Sequence, residues 1–529
     1  MLSVIGMILA SAAFLAPSGV RPDDPFSEAA LLREKPLGPY VNLTSAQRAT
    51  VRSFRASDRF VATYYFFWYD HPTGEHFRNA DGSDALVDHP LDPPSVSYRR
   101  ESWHRKELLD LMDAGIDVIV PVYWGAPPDK AARFEGHYAG IAPLVAAARR
   151  LMAEGRKPPK IGLFYDTSSL SATGNILGRH VDLSTPDGKA WLYATIRDWF
   201  SAVPPALWAA IDGKPIVFLY GAGSAKAGTD DPAVFDYVRN HFARDFGGAA
   251  PYLVAEHSWV APADNGYDWG AAFAHKAYGV AAIGPGYDDS SVPGRTSPKI
   301  DRRAGALYRE RWEHLLSLAP ATRPKIAIIE TWNELHEGTD ICETREYGRT
   351  YIDLTRRYAA RWRAGAQTRP ISLFAGRKGA SLTFGPSGQS AGVRLVENGD
   401  GLFRVSSALG SGCIETRPNP ANGEQFLYID VDDGFYWEPS GPVTVELECL
   451  DQGGGTLAIT YDSTDARAQF GGTYKTAPAQ PRGDTGRWRV FSFRLTDARF
   501  ANRQNSFTDF RISAGGTKLV VRRITLRKG

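Results

Sequence analysis

From about residue 60 to 365 the chain alternates short apolar runs with amphipathic stretches of helical length, and few folds can absorb that pattern. Phe60–Trp68, Ile116–Tyr123, Lys160–Asp166, Pro215–Tyr220, Pro251–Glu256, Trp269–Phe273 and Lys325–Ile329 read as strands. The first intervening helix is capped by Ser102, repeats Leu108, Leu109 and Met112 at helical spacing and stops at Gly115. Ile141–Ala153, with Pro143 in its first turn, Lys189–Phe200, Pro232–Phe242, Arg303–Leu318 and Thr344–Ala364 read as further helices. Continuous apolar strands joined through helices imply a parallel sheet covered on both faces. Seven or eight such units in roughly 300 residues fit an α/β fold of the closed (β/α)8 TIM-barrel type better than an open doubly wound sheet. No glycine-rich turn follows the first strand, which also weakens a dinucleotide-binding reading.

The character changes after Arg369-Pro370. Runs such as 401–405, 425–430, 443–448, 456–461, 488–493 and 518–522 are short, β-type and broken by Gly, Asn, Asp and Pro, which predicts an antiparallel β-sandwich. A chain of 529 residues is too long for one ordinary domain. The expected division is an apolar segment or signal peptide at 1–20, a lead-in at 21–57, a catalytic barrel at 58–367 and the sandwich at 368–529. The sandwich is either a carbohydrate-binding module or a spacer. Asp430, Asp432 and Asp433 either ligate a structural Ca2+ or sit in a solvated turn. Cys413 and Cys449 either pair or remain two buried thiols, and with Cys342 they are too few for a disulfide framework or a zinc site.

Lys+Arg of 61 against Asp+Glu of 59 leaves a net charge of +2, which argues against a nucleic-acid partner. Leu2–Ala16 is uncharged and too short for a confident membrane span. It reads as a secretory signal, although no Lys or Arg precedes Arg21, and the alternative is a short anchor. The expectation is a secreted or periplasmic protein with no integral membrane domain in the mature chain. Its aromatic content of 12% suits either sugar-stacking clefts or a large β-rich core.

Barrels of this kind place their chemistry at the C-terminal ends of strands. Those positions hold Tyr65, Trp68, Tyr69 and Asp70, then Trp124, Asp166, Tyr220, Glu256, His257, His275, Lys276 and Tyr278, and finally Glu330 to Glu337 with Trp332, Asn333 and His336. There is no cluster at metal-ligand spacing and no Gly-x-Ser-x-Gly elbow, so no cofactor is expected beyond the Ca2+ above. Carboxylates among aromatics are what acid-catalysed glycosidic cleavage requires: a proton donor, a second carboxylate and flat faces for the sugar. Glu334 and Glu337 are the sharpest pair, because close carboxylates raise one another's proton affinity. The competing reading is a solvated acidic pair at a helix start.

Thr331-Trp-Asn-Glu-Leu-His-Glu-Gly-Thr339 resembles the signature of glycoside hydrolase family 99, the endo-α-mannosidase group, in which Trp stands where this chain has Leu335. Tyr64–Tyr69 and the stretch from Asp113 to Gly125 resemble that family's first two strands, and Asp166 stands where it has a strand-end Glu. The resemblance implies that Glu334 deprotonates the sugar's own 2-hydroxyl, forming a 1,2-anhydro sugar, while Glu337 acts as acid and then base. The expected protein is a retaining hydrolase of a polysaccharide or oligosaccharide. The alternatives are a catalytically silent glycan-binding protein and a transglycosylase on the same scaffold.

Overall fold

The computed structural model describes residues 24–125, 127, 135–248, 250–321, 323–370, 372–385, 388–437 and 441–529. The apolar segment at 1–20 lies outside the described residues. The chain divides into two compact units, one reaching residue 273 and resuming at 277–367, the other formed by 274–276 with 368–529. Among the described residues no helix is long and apolar enough to cross a membrane.

The first unit is a barrel of eight parallel strands: β1 Phe60–Tyr65, β2 Val118–Tyr123, β3 Leu163–Tyr165, β4 Lys214–Leu219, β5 Tyr252–Glu256, β6 Asn265–Tyr267, β7 Val280–Ile283 and β8 Ile326–Ile329. Each but β6 pairs in parallel with the next, and β8 returns to β1 through Phe60↔Ile326 to Thr63↔Ile329. The one seam without a ladder in this series is β6 to β7, where Asn265 Nδ2 reaches the carbonyl of Gly279 at 3.4 Å. The longer helices are α1 Glu101–Ala114, α2 Glu135–Ala153, α3 Pro186–Ala202, α4 Pro232–Phe246, α5 Ala306–Ser317 and α6 Thr350–Arg363. Helix α1 ends as its sequence predicts, on Gly115 in the left-handed region (φ 76°). Helix α2 starts earlier than the sequence suggests, so Pro143 lies in its interior rather than its first turn.

The alternation of β1 decides which of its tyrosines faces the barrel axis. Tyr64 turns inward against Phe164 (ring centroids 4.5 Å), Phe218 (5.8 Å) and Tyr267 (6.2 Å). These side chains fill the barrel as a packed layer, each adding about 1.5–3 kcal/mol by burial. Tyr65 turns outward instead.

The expected sixth strand, Trp269–Phe273, is a turn beyond the end of β6, and β7 takes its place in the barrel. The run Val280-Ala-Ala-Ile283 that forms β7 is short and lies between Gly279 and Gly284, so it carries little periodic signal. Glu330, just past β8, pins the turn by accepting from the backbone N–H of Gly270 (3.0 Å) and of Ala272 (2.5 Å).

The second unit contains a seven-stranded and a six-stranded antiparallel sheet. Inward residues of both, among them Leu427, Ile429, Val445, Leu447, Phe491, Ile512 and Ile524, form one core. Cys342, Cys413 and Cys449 are all free and buried. The three acids considered for Ca2+ are engaged by protein groups. Asp430 pairs with Arg394 (2.7 Å), and Asp432 accepts from Ser372 Oγ (2.5 Å) and the N–H of Gly434 (2.9 Å). Asp433 accepts from Asn502 Nδ2 (3.0 Å).

Candidate active site

The motif after β8 leaves the barrel as a turn rather than a helix. Thr331 Oγ1 accepts from the N–H of Glu334 (3.2 Å), and Gly338 closes the turn at φ 56°. A side chain at Gly338 would also come within 3.2 Å of the Asp288 backbone nitrogen, which donates to the carbonyl of Glu337 (2.8 Å). The turn places Glu334 and Glu337 close enough for the first carboxylate to perturb the second.

Their surroundings differ. Glu334 is 3% exposed. Its Oε1 accepts from His336 Nδ1 (2.6 Å), the N–H of His336 (3.2 Å) and the Tyr69 hydroxyl (3.3 Å). Its Oε2 is buried with no hydrogen-bond partner among the described residues. The second ring nitrogen of His336 donates to the carbonyl of His76 (2.9 Å), so both nitrogens act as donors and the ring suits the imidazolium form. Burial opposes that charge, but the Glu334 carboxylate outweighs it and raises the proton affinity of His336. His76 holds φ 60°, uncommon for a non-glycine residue, and stacks on Trp68 (4.8 Å, 6° between planes).

Glu337 has one strong partner, Arg295 Nη1 at 2.6 Å from Oε1. Burial first, and the Glu334 carboxylate second, raise Glu337 from an ordinary 4.5 to about 7 despite that guanidinium. Arg295 comes from the long segment between β7 and α5, in a Pro-Gly-Arg-Thr-Ser context that gives a sequence reader no signal.

Around the pair stand the strand ends. Asp166 accepts from Trp124 Nε1 (2.7 Å) and from the N–H of Ser168 (3.0 Å), and its burial raises its proton affinity. Tyr220 packs edge-on against Trp269 (5.3 Å), a ring that the sequence pattern places on a strand. Burial, then the carboxylates of Asp166, Glu337, Glu256 and Glu330 in that order, push the Tyr220 hydroxyl well above its ordinary range. Tyr220 is therefore where the fields of four strand-end carboxylates meet.

Other expected site residues go elsewhere. Tyr65 is fully buried behind the barrel wall, its hydroxyl 2.9 Å from His104 Nδ1 on α1 and its ring against Trp103. Trp332 is likewise fully buried and donates from Nε1 to Glu107 Oε2 on α1 (2.5 Å). Asn333 is a clamp: its side chain accepts from the N–H of Phe66 (2.9 Å) and donates to the Phe66 carbonyl (2.8 Å), tying the end of β1 to the motif. Tyr278 precedes β7, at the opposite end of the barrel from the carboxylates, against Gly266. His275 and Lys276 belong to the second unit. Glu256 and His257 are at the mouth end, joined there by Asp268, which sequence spacing did not single out.

The family described as "Domain of unknown function (DUF5010)" matches residues 44–370. No curated protein matches the chain. Among solved structures, the GH99 endo-α-mannosidase of Bacteroides thetaiotaomicron in complex with bis-tris-propane is similar over 58% of this chain and 98% of that one, at 18% identity and a TM-score of 0.42. A further structure of the GH99 endo-α-mannosidase from that organism covers 60% and 100% at 16% identity and a TM-score of 0.42. A glycoside hydrolase-like protein covers 60% and 98% at 15% identity and a TM-score of 0.41.

Proposed function

Since this chain belongs to the DUF5010 family, whose description carries no activity, we propose from its site that it is a glycoside hydrolase of family 99-like type, exported to act on a polysaccharide or oligosaccharide. The observation that carries the proposal is the contrast between two neighbouring carboxylates. Glu337, raised to about 7, can hold a proton near neutral pH and deliver it. Glu334 is held through one oxygen while the other is free to accept a proton. Export is read from the apolar Leu2–Ala16 run, which lies outside the described residues.

In the mechanism proposed, Glu334 Oε2 takes the proton of the sugar's 2-hydroxyl, and O2 attacks C1. As the C1–oxygen bond to the leaving group breaks, Glu337 gives its proton to that oxygen. A 1,2-anhydro sugar results. Water then attacks C1 and gives a proton to the Glu337 carboxylate, while Glu334 returns its proton to O2. Two inversions at C1 give retention.

Glu337→Gln should cost roughly 10²–10⁴-fold in kcat on a sugar leaving group and much less on an activated aryl glycoside. Glu334→Gln should impair both substrates, because O2 must be deprotonated to displace either leaving group. A 2-fluoro analogue should neither turn over nor leave sugar on the protein. A glycosyl adduct on Glu334 seen by mass spectrometry would replace this route with the two-carboxylate covalent mechanism.

A further inference from the structure

Two carboxylates and an imidazole meet at the C-terminal ends of β5 and β6. Glu256 closes β5 and lies in register with Tyr267, so His257 and Asp268, each one residue further on, emerge side by side. The N–H of His257 donates to the Tyr267 carbonyl (3.0 Å), fixing its backbone against β6. Glu256 Oε2 accepts from the N–H of Ser258 (3.0 Å) and from the Ser258 hydroxyl. Oε1 is then left facing His257 Nδ1 at 2.5 Å, and Asp268 Oδ1 contacts the same nitrogen. One donor atom from each of the three residues lies within 4.8 Å of the others.

A proton is a poor occupant of this position. Nδ1 carries at most one hydrogen, which cannot lie along the lines to two carboxylates, and it makes no well-formed hydrogen bond to either. The carboxylates are 7% and 2% exposed, so little water reaches either. A dication in place of that proton would take one oxygen from each carboxylate and use the nitrogen lone pair. The imidazole selects for zinc-like ions over Ca2+ and Mg2+, and the Ser258 hydrogen bonds orient one carboxylate as supporting contacts around metal ligands do. The His257 side chain is 22% exposed, which leaves a route in from solvent.

We infer that Glu256 Oε1, His257 Nδ1 and Asp268 Oδ1 form a binding site for a divalent transition-metal cation, with Zn2+ the best fit. Three protein ligands leave a fourth position open, as in zinc sites that bind water or substrate. Zinc bonds of about 2.0–2.1 Å in tetrahedral array set the donors about 3.3 Å apart, so the side chains must spread by roughly 1 Å.

The test is zinc titration of the chelator-stripped full chain by calorimetry at pH 7 and pH 8, without substrate, so its outcome is independent of glycosidase activity. Wild type should take up one Zn2+ per chain. Metal binding needs the deprotonated imidazole, so uptake should not weaken from pH 7 to pH 8. Asp268→Asn and His257→Gln should each weaken uptake at least about 30-fold. If either variant misfolds by circular dichroism, X-ray absorption of zinc-loaded wild type decides: one imidazole with oxygen neighbours supports the site. Absence of stoichiometric uptake, uptake unchanged in both folded variants, or a spectrum showing sulfur or two imidazoles would overturn it.

Discussion

Arg295→Met removes a guanidinium 2.6 Å from the Glu337 carboxylate, and its effect on the proposed acid follows from the geometry. The cation favours the ionised form, so its loss must raise the proton affinity of Glu337 above about 7. Two unit charges about 4 Å apart at an effective permittivity of about 20 interact by about 4 kcal/mol, an upper bound. Hydrogen bonds to charged groups are worth about 1.5–3 kcal/mol, and 1.36 kcal/mol moves a pKa by one. The expected displacement is therefore about one to two pH units. An acid must be protonated to act, so kcat/KM should fall as pH rises through the value for the free enzyme. That descending limb should lie near 7 in wild type and at roughly 8–9 in the variant. The assay is the pH profile of kcat/KM on an unactivated oligosaccharide, with an activated aryl glycoside as the control that needs no proton. A limb that stays in place, or moves to lower pH, in a folded variant would refute Glu337 as the acid.

Three further outcomes are expected. Glu337 is raised from 4.5 to about 7 on folding, so its ionised form costs the fold stability that is present below pH 4.5 and lost as pH climbs through 7. Glu337→Gln should accordingly raise the melting temperature at pH 8 by the equivalent of about 3 kcal/mol and change it little at pH 4, measured by calorimetry. Tyr65→Phe leaves the buried His104 Nδ1 without its partner and should cost about 1–3 kcal/mol in denaturant unfolding while KM stays unchanged. Trp269→Ala removes a ring that packs on Tyr220 and should raise KM severalfold more than it lowers kcat in steady-state kinetics on an oligosaccharide.

The barrel is legible in the sequence because parallel strands are buried on both faces, so β1, β2 and β4 appear as unbroken apolar runs. The short strands β6 and β7 are not legible, since Asn265-Gly-Tyr267 and Val280-Ala-Ala-Ile283 are held by their neighbours and by Glu330 rather than by their own pattern. At the candidate site, the motif displays two carboxylates in the sequence itself, but the direction of each neighbouring side chain depends on an alternation that a sequence shows only once the strand end is known. Tyr64 and Tyr65 read alike and face opposite ways, and Trp332 supports the motif from behind, through Glu107. Arg295, His76 and Asp268 arrive on loops, where no periodicity announces them.

The two hydrogen bonds between Asn333 and Phe66 join residues 267 positions apart. A ribosome makes Phe66 long before Asn333, so the first strand must wait through most of the barrel's synthesis for its partner. Until β8 slides in beside β1, the Glu334 carboxylate has neither Tyr69 nor its enclosure, and nothing obliges Glu337 to hold a proton at neutral pH. Closing the barrel and raising the proton affinity of Glu337 thus depend on one seam. A chain in which that seam is open has no enclosure for the two carboxylates, and the cost of desolvating them is met only where β1 and β8 lie side by side.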